Sequence, residues 1–148
     1  MEKSKIQLSE KSLIELLDAW SFPGALTVQP TNQGTVNTTF IVETQAGKFV
    51  LKLYNNDTTT TQIQYEHSLL AHLQKLDLSF AIPTPVPTAL GETLVLLNQN
   101  NSLLRVALLP FISGEPALRN NLYHTHAVGR ALGELHHALA SFGQLSYA

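Results

Sequence analysis

A lysine and a glutamate are the two residues of this chain whose types and spacing could do chemistry together. Lys52 stands in the middle of the apolar run KFVLKLY (48–54), which has the composition of a covered β-strand. An ammonium group in such a strand is costly unless an opposite charge lies beside it. A candidate for that charge is Glu66, which follows fourteen residues later in the chain.

Glu66 belongs to a segment, roughly Gln62 to Leu76, in which apolar residues recur at helical spacing. It comes three residues after Ile63 and four before Leu70, so it falls at the centre of the apolar stripe. We therefore predict an ion pair that joins a buried strand to a buried helix face. The alternative is that both side chains extend to the rim of a small domain and reach water separately.

A buried ion pair is weak evidence for stability, because apolar replacements are often neutral or stabilising. Its presence therefore favours a functional task. An oriented ammonium group beside a loop that contains a glycine could hold phosphate oxygens.

The elements that must position this pair follow the predicted order helix, three strands, helix, two strands, helix. Strands are predicted from short apolar runs at 25–30, 38–44, 48–54, 93–99 and 102–112. Helices are predicted at 9–20, with Ser9 as the N-cap, at 62–76 and at 123–140. The loop at 31–37, the hairpin turn at 45–48, the turn near Asn100-Asn101 and the proline-rich segment 81–92 separate them. Short hairpin connections favour an antiparallel sheet, and the helix between the third and fourth strands should cover one face of it.

Composition excludes several classes of protein. The nine lysines and arginines are scattered over 148 residues with a net charge of −2, which argues against a nucleic-acid or anionic-membrane surface. The absence of cysteine excludes a disulfide framework and thiolate chemistry. The polar start MEKSKIQLSE has no signal-peptide core, so we expect a cytoplasmic protein. None of the six histidines has a zinc-ligand spacing, and no metal site is predicted in this chain.

Several segments, taken in order, resemble one known family. These segments are GTVNTTFIVET, GKFVLKLY, YEHSLLAHL, IPTPVP, ALLPFISGEP and VGRALGELHHAL. They are similar to the aminoglycoside phosphotransferase/choline kinase-like superfamily, above all to its homoserine-kinase-like branch. The resemblance implies an α+β fold, a protein-kinase-like N-terminal lobe with a five-stranded antiparallel sheet and one covering helix. It also implies an N-terminal helix at 1–24, a nucleotide-binding lobe at 25–112, and a hinge linker with the first helix of the C-terminal lobe at 113–148.

The resemblance also implies roles for the charged pair and for the loop before it. Lys52 would contact the α- and β-phosphates of ATP, and Glu66 would position that lysine. Gly34 would lie in the phosphate-covering loop, where the absence of a Cβ lets backbone N–H groups approach oxygens. Asn37 matches a residue type that the family often has at the start of its second strand. This loop contains one glycine instead of a full G-x-G-x-x-G.

The segment ALLPFISG would form the last strand and the hinge. Leu109 would then occupy the gatekeeper position, and adenine would contact the carbonyl of Pro110 and the N–H of Ile112. Proline lacks only the donor, which this arrangement does not require. An apolar edge strand that ends at a proline is the alternative interpretation of the same residues.

The family's catalytic residues have no counterpart in this chain. A phosphotransferase needs carboxylates to orient the hydroxyl and to bind Mg²⁺, and the family places them in a His-Gly-Asp motif and a later Asp motif. Neither motif occurs, and the last aspartate is Asp77. We therefore expect the ATP-binding lobe of a small-molecule kinase, inactive by itself, cut or expressed apart from a chain of roughly twice the length. The Mg²⁺ ligands and the site for an amino-acid-, aminoglycoside- or choline-like hydroxyl would lie in the missing C-terminal part.

Two other interpretations stay open. One is a non-catalytic kinase-like binding or oligomerisation module, and a weaker one is a plain α+β interaction domain without a nucleotide site. The final helix has an apolar face, formed by Val128, Ala131, Leu132, Leu135 and Leu139. We expect this face to be exposed and to pair with another copy, which would give a homodimer.

Overall fold

The computed structural model describes residues 6–32 and 36–145. Its strands are β1 (Thr27–Pro30), β2 (Thr38–Thr44), β3 (Gly47–Leu53), β4 (Val95–Gln99) and β5 (Ser102–Pro110). Its helices are α1 (Glu10–Leu17), a 3₁₀ turn (Asp18–Trp20), α2 (Thr60–Gln74) and α3 (Leu122–Leu145). The chain divides into two compact units. The first consists of the residues up to His67 together with Pro85–Phe111, and the second consists of Ser68–Thr84 together with the residues from Ile112 onward. Among the described helices, none combines the length and the hydropathy that a membrane span requires.

The five strands form one antiparallel sheet in the order β1-β2-β3-β5-β4. This confirms the predicted fold class. The long strand β3 is central, and its Lys52 stands opposite Thr39 of β2 and Ala107 of β5. The site residues of the sheet are therefore carried by strands that are hydrogen-bonded on both sides.

Two tight turns fix the register of the sheet. The β4–β5 hairpin turns at Asn100 and Asn101, whose φ angles are 49° and 63°. Both central residues of a type I′ turn need positive φ, which asparagine tolerates better than most residues. This confirms the turn predicted at that dipeptide. The β2–β3 hairpin ends at Gly47, whose φ of 135° strains any residue with a Cβ.

One face of the sheet packs against α1 and is apolar. Ser9 caps this helix, because its hydroxyl accepts the N–H of Ser12 at 3.2 Å. The cluster combines leucines and Trp20 of the helical segment with alternate residues of the strands. Its buried members are Leu13, Leu16, Leu17, Trp20, Phe40, Val42, Leu51, Leu53, Leu104, Val106 and Leu108.

Hydrogen bonds of Val86 and Ala89 tie the proline-rich segment to the edge of this cluster, and the Ala89 N–H donates to the carbonyl of Ala19 at 3.0 Å. The Val86 N–H donates to the carbonyl of Leu108 at 2.7 Å, and the Val86 carbonyl accepts the indole N–H of Trp20 at 2.9 Å. No strand is formed there, as the prolines predicted.

Several element boundaries differ from the prediction for local reasons. Helix α2 begins at Thr60, because the Gln62 side chain accepts the Thr59 N–H and the Thr59 hydroxyl accepts the Gln62 N–H. The predicted helix 9–20 is split into α1 and a 3₁₀ turn, and α3 runs beyond 140 to Leu145. Strand β5 ends at Pro110, so Ile112 lies outside it, and the predicted strand 102–112 was two residues too long.

The second unit has its own hydrogen bonds. His72 Nε2 lies 2.8 Å from the hydroxyl of Ser141. The Glu134 carboxylate accepts both the N–H and the hydroxyl of Ser79, at 2.6 and 2.5 Å, and these bonds lower the pKa of Glu134. Asn121 caps α3, since its side-chain oxygen accepts the N–H groups of Tyr123 and His124.

Candidate nucleotide-binding site

Lys52 and Glu66 form the predicted ion pair, with Nζ 3.3 Å from Oε1. The pair is less enclosed than the sequence suggested, because the lysine side chain is 19% exposed and the glutamate side chain 41% exposed. The expectation of a glutamate within a buried helix face was therefore wrong. The two head groups nonetheless meet, so the alternative in which each reaches solvent separately is excluded.

Strand alternation and one isoleucine bring the two charges together. Leu51 and Leu53 are buried in the apolar cluster, so Lys52 between them points to the opposite face of β3. On that face Ile63 of α2 has no exposed surface and packs with Tyr54 and Ala107. Glu66 lies almost one turn beyond Ile63 on the same side of the helix, which places its carboxylate near Nζ.

Tyr54 contacts both members of the pair. Its ring lies under the Lys52 ammonium, with Nζ 4.3 Å from the ring centroid, and its hydroxyl donates to Glu66 Oε1 at 3.3 Å. Burial raises the pKa of Tyr54, and the charge of Glu66 and the hydrogen bond to it raise the pKa further. The phenol is therefore a neutral donor at physiological pH.

His67 extends this network away from the lysine. Its Nε2 lies 3.2 Å from the Tyr54 hydroxyl, and its Nδ1 lies 2.9 Å from the Thr93 hydroxyl. The residue is 6% exposed, and this burial lowers the pKa of the imidazole. Glu66 acts in the opposite direction on that pKa, whereas Lys52 lowers it further.

The site predicted from the sequence did not include Tyr54, His67 or Thr93. Tyr54 had a usable signal, because a residue two positions after Lys52 shares its face of an extended chain. His67 follows Glu66 directly, but a single histidine in a helix usually packs without a special role. Thr93 had no local signal, since 26 residues separate it from His67.

The other predicted phosphate-loop residues are only partly placed. Gly34 lies outside the described residues. Asn37 is described, and its side-chain oxygen accepts the Asn55 N–H at 3.1 Å, which ties the start of β2 to the chain just after β3. The Asn55 side chain donates in return to the carbonyl of Val36 at 3.4 Å.

The predicted hinge residues follow one another at the end of β5. Leu109 pairs with Val50 and Pro110 with Phe49 across the β3–β5 ladder. The next residue, Phe111, donates its N–H to the carbonyl of Lys48 at 3.1 Å. Ile112 comes after these paired residues and is exposed.

The residues described here do not fit a magnesium site. Mg²⁺ prefers oxygen ligands in near-octahedral geometry, and carboxylates usually supply them. No three histidine or acidic side chains converge anywhere in the described ranges.

Two kinases of known structure have a fold similar to that of this chain. An aminopropanol kinase associated with a microcompartment superposes with a TM-score of 0.70 at 22% identity, over 86% of this chain and 39% of the other. An amicoumacin kinase, solved with AMP-PNP and Ca²⁺, gives a TM-score of 0.70 at 17% identity over the same shares. These similarities establish the kinase-like fold of an N-terminal lobe.

Curated relatives include homoserine kinases. That of Methylobacterium nodulans is 29% identical over 136 residues, which cover 92% of this chain and 40% of the relative. The homoserine kinase of Rhizobium meliloti is 27% identical over 135 residues, with 91% and 40% covered. This chain thus spans about two fifths of the length of such relatives. The family model described as the phosphotransferase enzyme family matches residues 27–148, and the chain therefore belongs to that family.

Proposed function

We propose that this chain is the ATP-binding lobe of a small-molecule kinase. In this proposal Lys52 binds oxygens of the α- and β-phosphates, and Glu66 holds the lysine in position. The observation that carries the proposal is the 3.3 Å ion pair between β3 and α2 on the sheet face away from the apolar cluster.

The environment of Lys52 suits phosphate binding. Glu66 and the Tyr54 ring fix the ammonium from two sides, while the lysine side chain stays 19% exposed and can take a third partner. A lysine that is already oriented loses less side-chain entropy when a ligand binds. An ammonium carries three donors, so it can serve Glu66 and phosphate oxygens together.

An apolar strip beside Lys52 supports a place for the adenine ring. Val50 and Leu109 pair across β3 and β5, and both are half-buried. Val50 lies two residues from Lys52 and hence on the same face, about 7 Å along the strand. We propose that the adenine packs near these residues, with Leu109 as gatekeeper and the Pro110 carbonyl and Ile112 N–H as its polar partners. Gly34 and Asn37 are proposed as parts of the phosphate-covering loop.

The transferred phosphoryl group would go to a hydroxyl of an amino-acid-, aminoglycoside- or choline-like compound. The names of the similar proteins, homoserine kinase and aminopropanol kinase, support a small acceptor that carries both an amine and a hydroxyl. We propose that the Mg²⁺ ligands and the acceptor site lie outside these 148 residues, because the sequence contains no His-Gly-Asp motif. On this basis the chain alone would catalyse no phosphotransfer. Its cytoplasmic location stays a prediction.

Calorimetric titration of the chain with AMP-PNP tests the proposal. Lys52→Ala should weaken binding at least tenfold, because a charge-assisted contact to phosphate is lost. Lys11→Ala is the matched control, since this exposed lysine of α1 lies 3.8 Å from Glu15 of the same helix, and its replacement should leave the affinity unchanged. Equal affinities of the Lys52→Ala variant and the unmodified chain, or no binding by either, would refute the proposal.

A non-catalytic module that associates through α3 is the second candidate. It is favoured by two apolar residues one turn apart on α3, Val128 and Leu132, which are 53% and 50% exposed. The remaining residues of the predicted face, Ala131, Leu135 and Leu139, are half-buried. Sedimentation velocity over a range of concentrations should show a dimer that Leu132→Glu abolishes. A monomer at every concentration would exclude this candidate.

A further inference from the structure

Tyr54 contacts both charges of the pair, and its hydroxyl also lies within hydrogen-bond distance of His67. Its hydroxyl bonds to the same Glu66 oxygen that meets Lys52, and on its other side lies His67, followed by Thr93. We infer that Tyr54, His67 and Thr93 form a hydrogen-bonded chain that positions Glu66 for Lys52 and thereby sets the affinity for nucleotide phosphates. This inference rests on the proposed function.

The direction of each hydrogen bond follows from the chemistry of the groups. The Glu66 carboxylate only accepts, so the single proton of the Tyr54 hydroxyl is donated to it. The Tyr54 oxygen can then only accept, and His67 Nε2–H must be its donor. A neutral imidazole has one N–H, so Nδ1 accepts the hydroxyl proton of Thr93. The chain thus runs one way, from Thr93 to Glu66.

Glu66 requires a further hydrogen bond to fix its position because its side chain is partly exposed to solvent. Its side chain is 41% exposed, and an ion pair in contact with water gains little net energy, so the pair alone would restrict the glutamate side chain weakly. The Tyr54 hydroxyl adds a second restraint on Oε1. Tyr54 is almost fully buried and its N–H donates to the carbonyl of Arg105 at 2.9 Å, so the donor is fixed to the sheet.

Thr93 fixes the far end of the hydrogen-bonded chain. It lies just before β4, whereas Tyr54 follows β3 and His67 belongs to α2. The three residues therefore join three separate segments of the first unit. If Thr93 loses its hydroxyl, the His67 imidazole can carry its proton on either nitrogen. In the Nδ1–H form His67 no longer donates to the Tyr54 oxygen, so the direction of the Tyr54 hydrogen bond is no longer fixed.

The test uses isosteric substitutions and two measurements. Tyr54→Phe keeps the ring under Lys52 and removes the hydroxyl, Thr93→Val removes the last donor, and Tyr123→Phe on α3 is the control. Titration with AMP-PNP should show about tenfold weaker binding for Tyr54→Phe, a smaller loss for Thr93→Val and no change for the control. Nitrogen NMR of the His67 ring should show the Nε2–H form in the unmodified chain and a shift toward Nδ1–H in Tyr54→Phe.

The two measurements separate the possible failures. If the unmodified chain binds AMP-PNP but Tyr54→Phe binds it equally well, the positioning role is refuted while the nucleotide site stands. If His67 carries its proton on Nδ1 in the unmodified chain, the hydrogen-bonded chain runs differently and the inference fails. If the unmodified chain does not bind AMP-PNP, the proposed function fails, and the effect of Tyr54 on affinity fails with it.

Discussion

The two faces of the sheet differ in the side chains they present, although the same strands form both. One face is apolar, and the other carries charged and polar groups. On the face toward α1, Leu51, Leu53 and Leu108 have no exposed surface, and all buried members of the cluster are apolar. On the face toward α2, the same strand β3 presents Lys52, which is followed by Tyr54, and their partner Glu66 is partly exposed.

This difference predicts that the two faces contribute unequally to stability. Burying apolar area is the main favourable term in folding, so the face toward α1 should carry most of the stability. Polar groups on the other face exchange hydrogen bonds with water for hydrogen bonds within the protein, with a small net gain. Within the described residues no buried side-chain nitrogen or oxygen lacks a partner, so the buried polar groups of this face are satisfied.

The sharpest test of the comparison uses two adjacent residues of β3. Leu51→Ala should lower the free energy of unfolding by about 2–5 kcal/mol, because the side chain is fully buried and leaves a cavity. Val50→Ala, on the other face and half-buried, should cost about 1 kcal/mol. Urea denaturation monitored by circular dichroism measures both. Equal losses would show that the two faces contribute alike.

Trp20 tests whether the apolar face also depends on a polar side-chain contact, the hydrogen bond to Val86. Trp20→Phe should cost about 1–2 kcal/mol, because the carbonyl of Val86 loses its indole donor and the ring becomes smaller. Since this is the only tryptophan, circular dichroism rather than fluorescence must follow unfolding. Phe22→Leu, which alters the nearby ring contact with Phe49 without removing a hydrogen bond, is the control. A Trp20→Phe loss no greater than that of the control would discount the hydrogen bond.

Most of the apolar face could be predicted from the sequence. Leu13, Leu16 and Leu17 recur at helical spacing, and the alternation in TTFIVET and KFVLKLY predicts which strand residues are covered. What the pattern did not predict is that α1 covers this face, since amphipathicity shows that a helix packs but not against which partner. The observed helix boundaries differ from the predicted ones where side chains form hydrogen bonds with backbone groups, as Thr59 and Gln62 do at the start of α2.

On the polar face, only the two charged residues could be predicted from the sequence, because each charge is unusual within an apolar pattern. Lys52 and Glu66 stood out because both interrupt apolar patterns. Tyr54 and His67 did not, because aromatic side chains satisfy an apolar pattern whether or not their polar atoms are used. The half-open position of Glu66 also escaped prediction, since helical periodicity gives the direction of a side chain but not the extent of the surface that covers it.

Acid should destabilise the protein through the polar face. Burial lowers the pKa of His67 below its ordinary value of 6.5, so below about pH 6.5 the unfolded chain binds more protons at this residue than the folded chain. Stability should therefore fall as the pH drops through this range, and the His67→Gln variant should lose part of that dependence. Denaturation midpoints at several pH values measure it.

Two outcomes would contradict this origin of the pH dependence. The matched control is His126→Gln on α3, an exposed histidine whose replacement should leave the dependence unchanged. If this control alters the dependence as much as His67→Gln, or if stability rises on acidification below pH 6.5, burial of His67 is not the cause.

The smallest expected effect is the contribution of the ion pair itself to stability. A double-mutant cycle with Lys52→Met and Glu66→Gln should give a coupling energy of about 0.2–1 kcal/mol, because both side chains remain in contact with water. The exposed pair Lys11–Glu15 of α1, whose atoms are 3.8 Å apart, provides the reference cycle and should give a similar or smaller value. A coupling above about 2 kcal/mol would mean that the pair behaves as a buried structural element. The polar face would then stabilise the fold as the apolar face does, and the ion pair would no longer need a ligand to explain its presence.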